Sequence, residues 1–363
     1  MRAEGAVYWN RGDATRSEAF DQHIAASSGK GTDRIGGRVQ PTPPRNSQVF
    51  ANSCGPENFH ERLGHPPVHV GGDQSGHPVD ALWGADSRHG PTGMSTDLAA
   101  TARELRYRII QMSHAAEAPH LASALSCVDL LTAYFFGKNS PDPAKVKDPG
   151  RDRFILSKGH AAIGLYATLA KRGYFPLEWL ERFAQEGAEL AEQPAPGCAP
   201  GVELATGSLG HGLPVGIGLA LGARLQKKSA KVVVLMSDGE CQEGSVWEAA
   251  MFAPAQRLSH LTVWVDYNKW QATGRSPEVM AMNPFVDKWK AFGWRAREID
   301  GHDIQAVAQA MSESSDPEGR PTAWVAHTVK GKGVSFMEND NNWHYRIPTA
   351  EEVAKAGKEL GQA

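Results

Sequence analysis

Two polar residues stand where an α/β sheet would place chemistry. Asp238 follows the apolar run from Lys231 to Met236 and forms part of a Ser237-Asp238-Gly239 turn; Asn268 follows a second apolar run, Leu261 to Val265. In an open α/β sheet, ligands collect beyond the carboxyl ends of the strands. A right-handed crossover through a helix starting near Gly244 would bring both runs into one sheet, with both side chains facing one crevice. Asp238 offers a charged oxygen and Asn268 a neutral one, which suits a hard divalent cation that also takes phosphate oxygens. Gly239 lets a diphosphate approach the backbone, and the N–H groups opening the next helix add partial positive charge. Taken by itself, Ser-Asp-Gly reads as an ordinary turn with Asp238 capping a helix, and Asn268 as a loop residue.

The elements that must carry these residues alternate. Leu98 to Met112 has apolar residues at helical spacing behind Ser95, Thr96 and Asp97 as caps. Further helices are predicted over Cys127 to Phe136, Ala161 to Lys171, Pro176 to Phe183 and Leu209 to Leu225. The last of these holds Gly210, Gly212, Gly216, Gly218 and Gly222, and so many glycines imply close approach to another backbone or a ligand. Lys231 to Met236 and Leu261 to Val265 read as strands covered on both faces, flanking a helix from Gly244 to Gln256. Strands at Arg295 to Ile299 and Thr322 to Thr328, with a helix from Asp303 between them, continue the pattern. Thr349 with Glu352 is a capping box for a final helix. The alternation predicts an α/β fold, a doubly wound and mostly parallel sheet with helices on both faces. Pro254 should kink or shorten its helix.

Composition bounds the function. The 363 residues carry a formal net charge of -3, so no basic field argues for nucleic acid. No segment approaches the ~20 apolar residues that cross a bilayer. Cys54, Cys127, Cys198 and Cys241 form no C-x-x-C pair, which suits reduced thiols in the cytoplasm. Residues 1–93 are rich in Gly, Pro, His, Asn and Ser without periodicity; they read as a disordered extension, or as sequence upstream of a start at Met94, and no chemistry is placed there. Residues 94–363 are expected to form the working domain.

Ser237-Asp238-Gly239-Glu240, with Glu243 to Ala250 and Val265-Asp266-Tyr267-Asn268-Lys269, resembles the thiamine-diphosphate signature of transketolases. In family order the chain also holds Pro119 to Ser126, Ser157-Lys158-Gly159-His160, Thr206 to Gly212, Thr328 to Val334 and Trp343-His344. The resemblance implies a thiamine-diphosphate-binding domain of the diphosphate-holding type, spanning about Leu98 to the C-terminus. It implies that Asp238, Asn268 and the carbonyl of Trp270 hold Mg²⁺, with Ca²⁺ or Mn²⁺ as substitutes. Gly239 and His160 would contact the diphosphate; Gly207, Ser208 and Leu209 would line the aminopyrimidine. His120 and His344 would face the ketose and the cofactor, and Glu243 would lie near a subunit boundary linking cofactor sites. His114, His302 and His327 match no catalytic motif and are left structural.

One departure touches chemistry. Where the family has a Gly-His dipeptide whose histidine contacts the donor sugar, this chain reads Glu192-Gln193, with one extra residue before Pro200. Gln193 hydrogen-bonds but does not titrate near neutral pH. The family's mechanism also needs a glutamate from a pyrimidine-binding domain. The chain's coverage resembles the N-terminal section of split bacterial transketolases, so a separate C-terminal subunit is expected, in a dimer of heterodimers acting on sugar phosphates. The rival readings are the α subunit of a 2-oxo acid dehydrogenase and a non-catalytic partner subunit.

Overall fold

A computed structural model describes residues 96–362, except 196 and 314. The expectation for residues 1–93 lies outside the described residues. Five strands form one parallel sheet: β1 Arg153–Leu156, β2 Val232–Ser237, β3 Leu261–Tyr267, β4 Arg295–Asp300 and β5 Thr322–His327. Their order is β1-β2-β3-β5-β4. All four pairings are parallel, which requires every connection to cross over a face.

Alternation along each strand sends successive side chains into two separate cores. Phe154, Leu156, Val233, Leu235, Trp264 and Trp324 join one core. Ile155, Val232, Val234, Met236, Val263, Val265 and Val325 join the other. The first core is covered by α1 Leu98–Ala115, α2 Leu121–Ser126, α3 Val128–Phe136, α4 Ala162–Arg172 and α9 Ile304–Met311. The second is covered by α5 Gly212–Leu225, α6 Gly244–Ala255 and α8 Phe285–Ala291. The fold is therefore doubly wound, as the alternation predicts. Trp264 and Trp324 are register partners on β3 and β5 and stack with centroids 5.5 Å apart. Such a pair adds about 0.5–1.5 kcal/mol beyond burial.

Local features follow the chemistry of the sequence. Asp97 caps α1 through Ala100 N, and the Thr349–Glu352 capping box opens α10 Ala350–Leu360. The predicted helix from Cys127 is preceded by a second one, so that α2 and α3 adjoin at Cys127. Pro176 opens a 3₁₀ turn, Leu177–Arg182, rather than an α-helix. Unforeseen are β1, four residues long, and the short helices α7 Ser276–Val279 and α8, all too brief to show a period. Pro254 sits one residue before the end of α6. The Ala250 carbonyl it leaves unserved accepts the indole N–H of Trp294 at 2.8 Å. Among the α5 glycines the expected close approach holds at Gly212 and Gly216, where a Cβ would collide with Ser157 and Val234. It fails at Gly218 and Gly222, which face open space.

Candidate functional site

The carboxyl ends of the strands meet at one cleft. β2 ends at Ser237 and β3 at Tyr267, so Asp238 and Asn268 are the next residues on adjacent, hydrogen-bonded strands. The two loops are tied directly: Lys269 N donates to Asp238 Oδ2 at 2.9 Å. Gly239 N donates to the other carboxylate oxygen, also at 2.9 Å. Asp238 is fully buried. Burial, then the neighbouring Asp266, pushes its carboxyl up to about 7. The Ser276 hydroxyl lies close enough to favour the anion but completes no hydrogen bond among the described residues.

Asn268 is buried beside it with its amide fixed. Nδ2 donates to Ser126 Oγ at 3.2 Å and Asp266 Oδ2 at 3.3 Å, and Oδ1 accepts from Trp270 N at 3.0 Å. Trp270 itself is strapped down by Asn339 Oδ1 at 2.8 Å and by the Arg275 guanidinium over its ring at 4.1 Å. A buried carboxylate hydrogen-bonded, among the described residues, by backbone N–H groups alone, next to a fixed amide oxygen, is a donor set that a hard divalent cation fits. A cation there would supply the positive charge that the burial of Asp238 demands.

The cleft beyond these tips has a volume of about 340 Å³, within the range of a cofactor-sized ligand. Gly239, Gly207 and Leu209 line it, as do Asn268, Trp270, Glu243 and the three histidines His120, His160 and His344. Bare backbone at Gly239 and Gly207 leaves room for a ligand to lie against the chain, so a diphosphate-bearing cofactor fits here. Gly207 has φ +138°, a conformation open in practice only to glycine. The Gln193 side chain lies over it, with Oε1 where a Cβ would sit. Gln193 therefore lines the cleft, in the region where the family's donor histidine is expected. Ser208 is exposed and is not part of the lining; the other expected site residues apart from the buried Asp238 are.

The histidines form one cluster. His120 lies 5.7 Å from His160 and 5.0 Å from His344, centroid to centroid. His120 adopts a left-handed backbone, φ +68°, and its N–H donates to the His344 carbonyl at 2.8 Å. Burial and the nearby Lys330 push His344 down to about 3. Burial, then Lys158, holds His160 well below the usual imidazole range. Burial lowers His120 also, against the opposing pull of Glu192. All three rings are therefore neutral at pH 7, able to hydrogen-bond without repelling a cation.

Sequence reading missed the support beneath. Lys158 is fully buried and pairs with Asp266, donating also to Ser123 O at 2.8 Å. Asp266 further accepts from Ser126 Oγ at 2.6 Å and from Thr328 Oγ1. Lys330 is buried, donates to Asn341 Oδ1 at 2.8 Å, and has its Nζ 2.9 Å from His344 Nδ1. Glu240 accepts from Ser157 Oγ and from Gly210 N at 2.9 Å, pinning the Gly-rich segment to the end of β1. Lys158, Asp266 and Lys330 lie inside the quoted motifs, close in sequence to His160, Asn268 and Gly331 respectively, and that was the available signal. His302, left structural, bonds Asp129 Oδ2 through Nδ1 at 2.7 Å and accepts Val329 N at Nε2 at 2.8 Å, anchoring the loop that carries Lys330.

A parallel α/β sheet whose adjacent strand tips carry a buried carboxylate and a fixed amide beside a glycine-lined cleft has the form of a cofactor-binding domain. The particular family follows from likeness: residues 95–363 match the family "Transketolase, thiamine diphosphate binding domain", and the chain belongs to it. It is 40% identical to an apulose-4-phosphate transketolase subunit from Actinobacillus succinogenes, over 74% of this chain and 98% of that protein. It is 38% identical to the corresponding apulose-4-phosphate transketolase subunit from Phocaeicola vulgatus, over 71% and 91%. Among solved structures it resembles Pichia stipitis transketolase in complex with sedoheptulose-7-phosphate, with TM-score 0.67 and 27% identity over 73% of this chain. The chain spans 41% of the length of that structure's chain. These relatives favour a transketolase-type subunit over a 2-oxo acid dehydrogenase.

Proposed function

We propose that this chain holds the diphosphate and metal of thiamine diphosphate in a split transketolase, moving a two-carbon ketol unit from a ketose phosphate to an aldose. The observation that carries the reading is the buried Asp238 carboxylate at the strand tip beside Asn268, without a cationic partner in hydrogen-bond contact among the described residues. Asp238, Asn268 and the Trp270 carbonyl would hold Mg²⁺. Gly239 and His160 would take the diphosphate, and Gly207 and Leu209 the aminopyrimidine; the exposed Ser208 keeps no place in that contact. When bound, the cofactor supplies a nucleophilic ring carbon and an electron sink. The chain's own residues orient the sugar. His344, whose Nδ1 is occupied by Lys330, offers Nε2–H as a donor, and His120 sets its ring beside it. Proton handling by such groups is worth about 10²–10⁴-fold.

The partner is a separate pyrimidine-domain polypeptide, in a dimer of heterodimers with Glu243 near the boundary. The support is that relatives of nearly this domain's length are named as single subunits of a transketolase. Cys127, Cys198 and Cys241 are free thiols, in keeping with work in the cytoplasm on carbohydrates.

Ketol transfer measured for this chain, for its partner and for the mixture tests the reading. Activity should appear only in the mixture and should require Mg²⁺ and thiamine diphosphate. Full turnover by this chain alone would sink the split-enzyme reading, and a mixture that decarboxylates a 2-oxo acid instead would sink the transketolase one.

A further inference from the structure

His120 and His344 are adjacent rings of the same type, yet the structure places opposite partners at the same atom of each. At His344, Nδ1 faces Lys330 Nζ at 2.9 Å; burial and then Lys158 lower this lysine to about 8, so at pH 7 it is chiefly an ammonium, which can only donate. His344 Nδ1 is therefore the acceptor, and its proton sits on Nε2. At His120, Nδ1 faces the Glu192 carboxylate at 3.6 Å, and an ionised carboxylate can only accept. That favours the proton on His120 Nδ1 and leaves Nε2 with a free lone pair. Lys330 and Glu192 do not line the cleft, whereas both rings do, so Nε2 of each ring is the nitrogen left to a ligand.

We infer that Glu192 and Lys330 are positioning residues that fix opposite tautomers on His120 and His344, so that the cleft offers one acceptor and one donor side by side to an α-hydroxy carbonyl compound. The substrate class rests on the proposed ketol transfer; the tautomers do not. An α-hydroxy ketone carries a hydroxyl that donates and a carbonyl oxygen that accepts on neighbouring carbons. His120 Nε2 would accept the hydroxyl's hydrogen bond, and His344 Nε2–H would donate to the carbonyl oxygen. With ring centroids 5.0 Å apart, both bonds fall within reach of one small substrate. Two donors would leave the hydroxyl proton without an acceptor, and two acceptors would leave the carbonyl oxygen without a donor; an unpaired buried polar atom is costly. Glu192 also gives the Glu192-Gln193 departure a use: the carboxylate stands where the family pattern has glycine.

The tautomers are read directly from long-range ¹H–¹⁵N imidazole correlations on this chain at pH 7.5. The expected result is Nδ1–H for His120 and Nε2–H for His344; the same tautomer on both rings overturns the inference. In Glu192→Gly, His120 should lose its Nδ1–H signature. In Glu192→Gln, whose amide oxygen still accepts, it should keep it. In the mixture with the pyrimidine-domain polypeptide, Glu192→Gly should lower kcat about tenfold, with Glu192→Gln within about threefold of the parent. Unchanged kcat in Glu192→Gly, or equal loss in both variants, overturns the positioning role. Calorimetric binding of thiamine diphosphate with Mg²⁺ identifies a variant that has lost its fold. If the parent mixture transfers no ketol unit at all, the functional reading fails, and the imidazole spectra still decide the tautomers.

Discussion

Asp238 and Asp266 are both buried aspartates at the tips of adjacent parallel strands, and they live in opposite electrostatic conditions. Asp266 is a closed hub: Lys158, Ser126, Thr328 and Asn268 all donate to it. Burial disfavours the charge on Lys158, but Asp266, helped by smaller contributions from Cys127 and Asp238, raises the lysine's pKa overall. Among the described residues Asp238 receives two backbone N–H bonds and no side-chain cation, and burial lifts its carboxyl to about 7. One carboxylate is satisfied by the chain and serves structure. The other is left short of positive charge, which is the condition of a group that awaits a ligand.

The largest effect should come from breaking the closed hub. Asp266→Ala strands Lys158 as an unpaired buried ammonium and removes the acceptor that orients Asn268. A destabilisation of about 3–5 kcal/mol is expected, read as the shift in a urea unfolding curve. A loss under about 1 kcal/mol would mean that the hub is not what holds the strand tips.

Asp238→Asn should go the other way in the cofactor-free protein. A carboxyl with pKa about 7 when folded and near 3.9 when unfolded binds more protons in the folded state. Its cost is absent below about pH 4, grows as pH rises, and is complete above about pH 7. The amide removes that cost but keeps one oxygen for two backbone N–H groups, a loss of about 1–3 kcal/mol; Asp238→Asn should therefore be more stable at pH 8 by on the order of 1–3 kcal/mol and less stable at pH 4. The same substitution should abolish Mg²⁺-dependent thiamine diphosphate binding by calorimetry. In the parent, metal affinity should rise with pH up to about 7, because the proton and the cation compete for one carboxylate. Equal stability of variant and parent at pH 8 would erase the contrast between the two aspartates.

Gly207→Ala ranks next. Its φ of +138° costs a residue with a Cβ about 1–3 kcal/mol, and Gln193 must leave its place. The Gln193 tip is flexible, so backbone strain dominates over the clash. Thiamine diphosphate affinity should fall about tenfold or more, with unfolding stability lower by about 1–3 kcal/mol. Unchanged affinity would move the cofactor's place away from this glycine.

Much of this arrangement was legible because strong local signals coincide with it. The continuous apolar runs of β2 and β3 read as doubly covered strands, and the residues just after each then fall at the carboxyl edge of the sheet. What stayed hidden was non-local. Lys158 and Asp266 are 108 positions apart, and no periodicity announces that they meet. β1 is four residues long, so only its pairing with β2 reveals it. The glycines of α5 were over-read, since Gly218 and Gly222 face open space and spacing cannot tell a packed face from an exposed one.

Pro254→Ala is the smallest expected effect, and it bounds how far the strand-tip contrast reaches. An alanine would restore an N–H directed at the Ala250 carbonyl, and helix propensity alone would favour it by up to about 3 kcal/mol in a helix interior. Here that carbonyl already accepts from Trp294 at 2.8 Å, and the proline occupies the penultimate residue of α6, where the helix is ending. The restored N–H must share an occupied acceptor, and the unfolded chain gains freedom when the proline ring is lost. These terms oppose, so stability should change by less than about 1 kcal/mol. Because α6 begins at Gly244 and Pro254 lies at its far end, calorimetric affinity for thiamine diphosphate should match the parent within error. A gain above about 2 kcal/mol would show that the Trp294 bond is not a real replacement for the missing helical one. A loss of cofactor affinity would show that the far end of α6 sets the position of the Asp238 loop, and the division between a closed structural hub and a ligand-poised carboxylate would then have to include the helix that follows them.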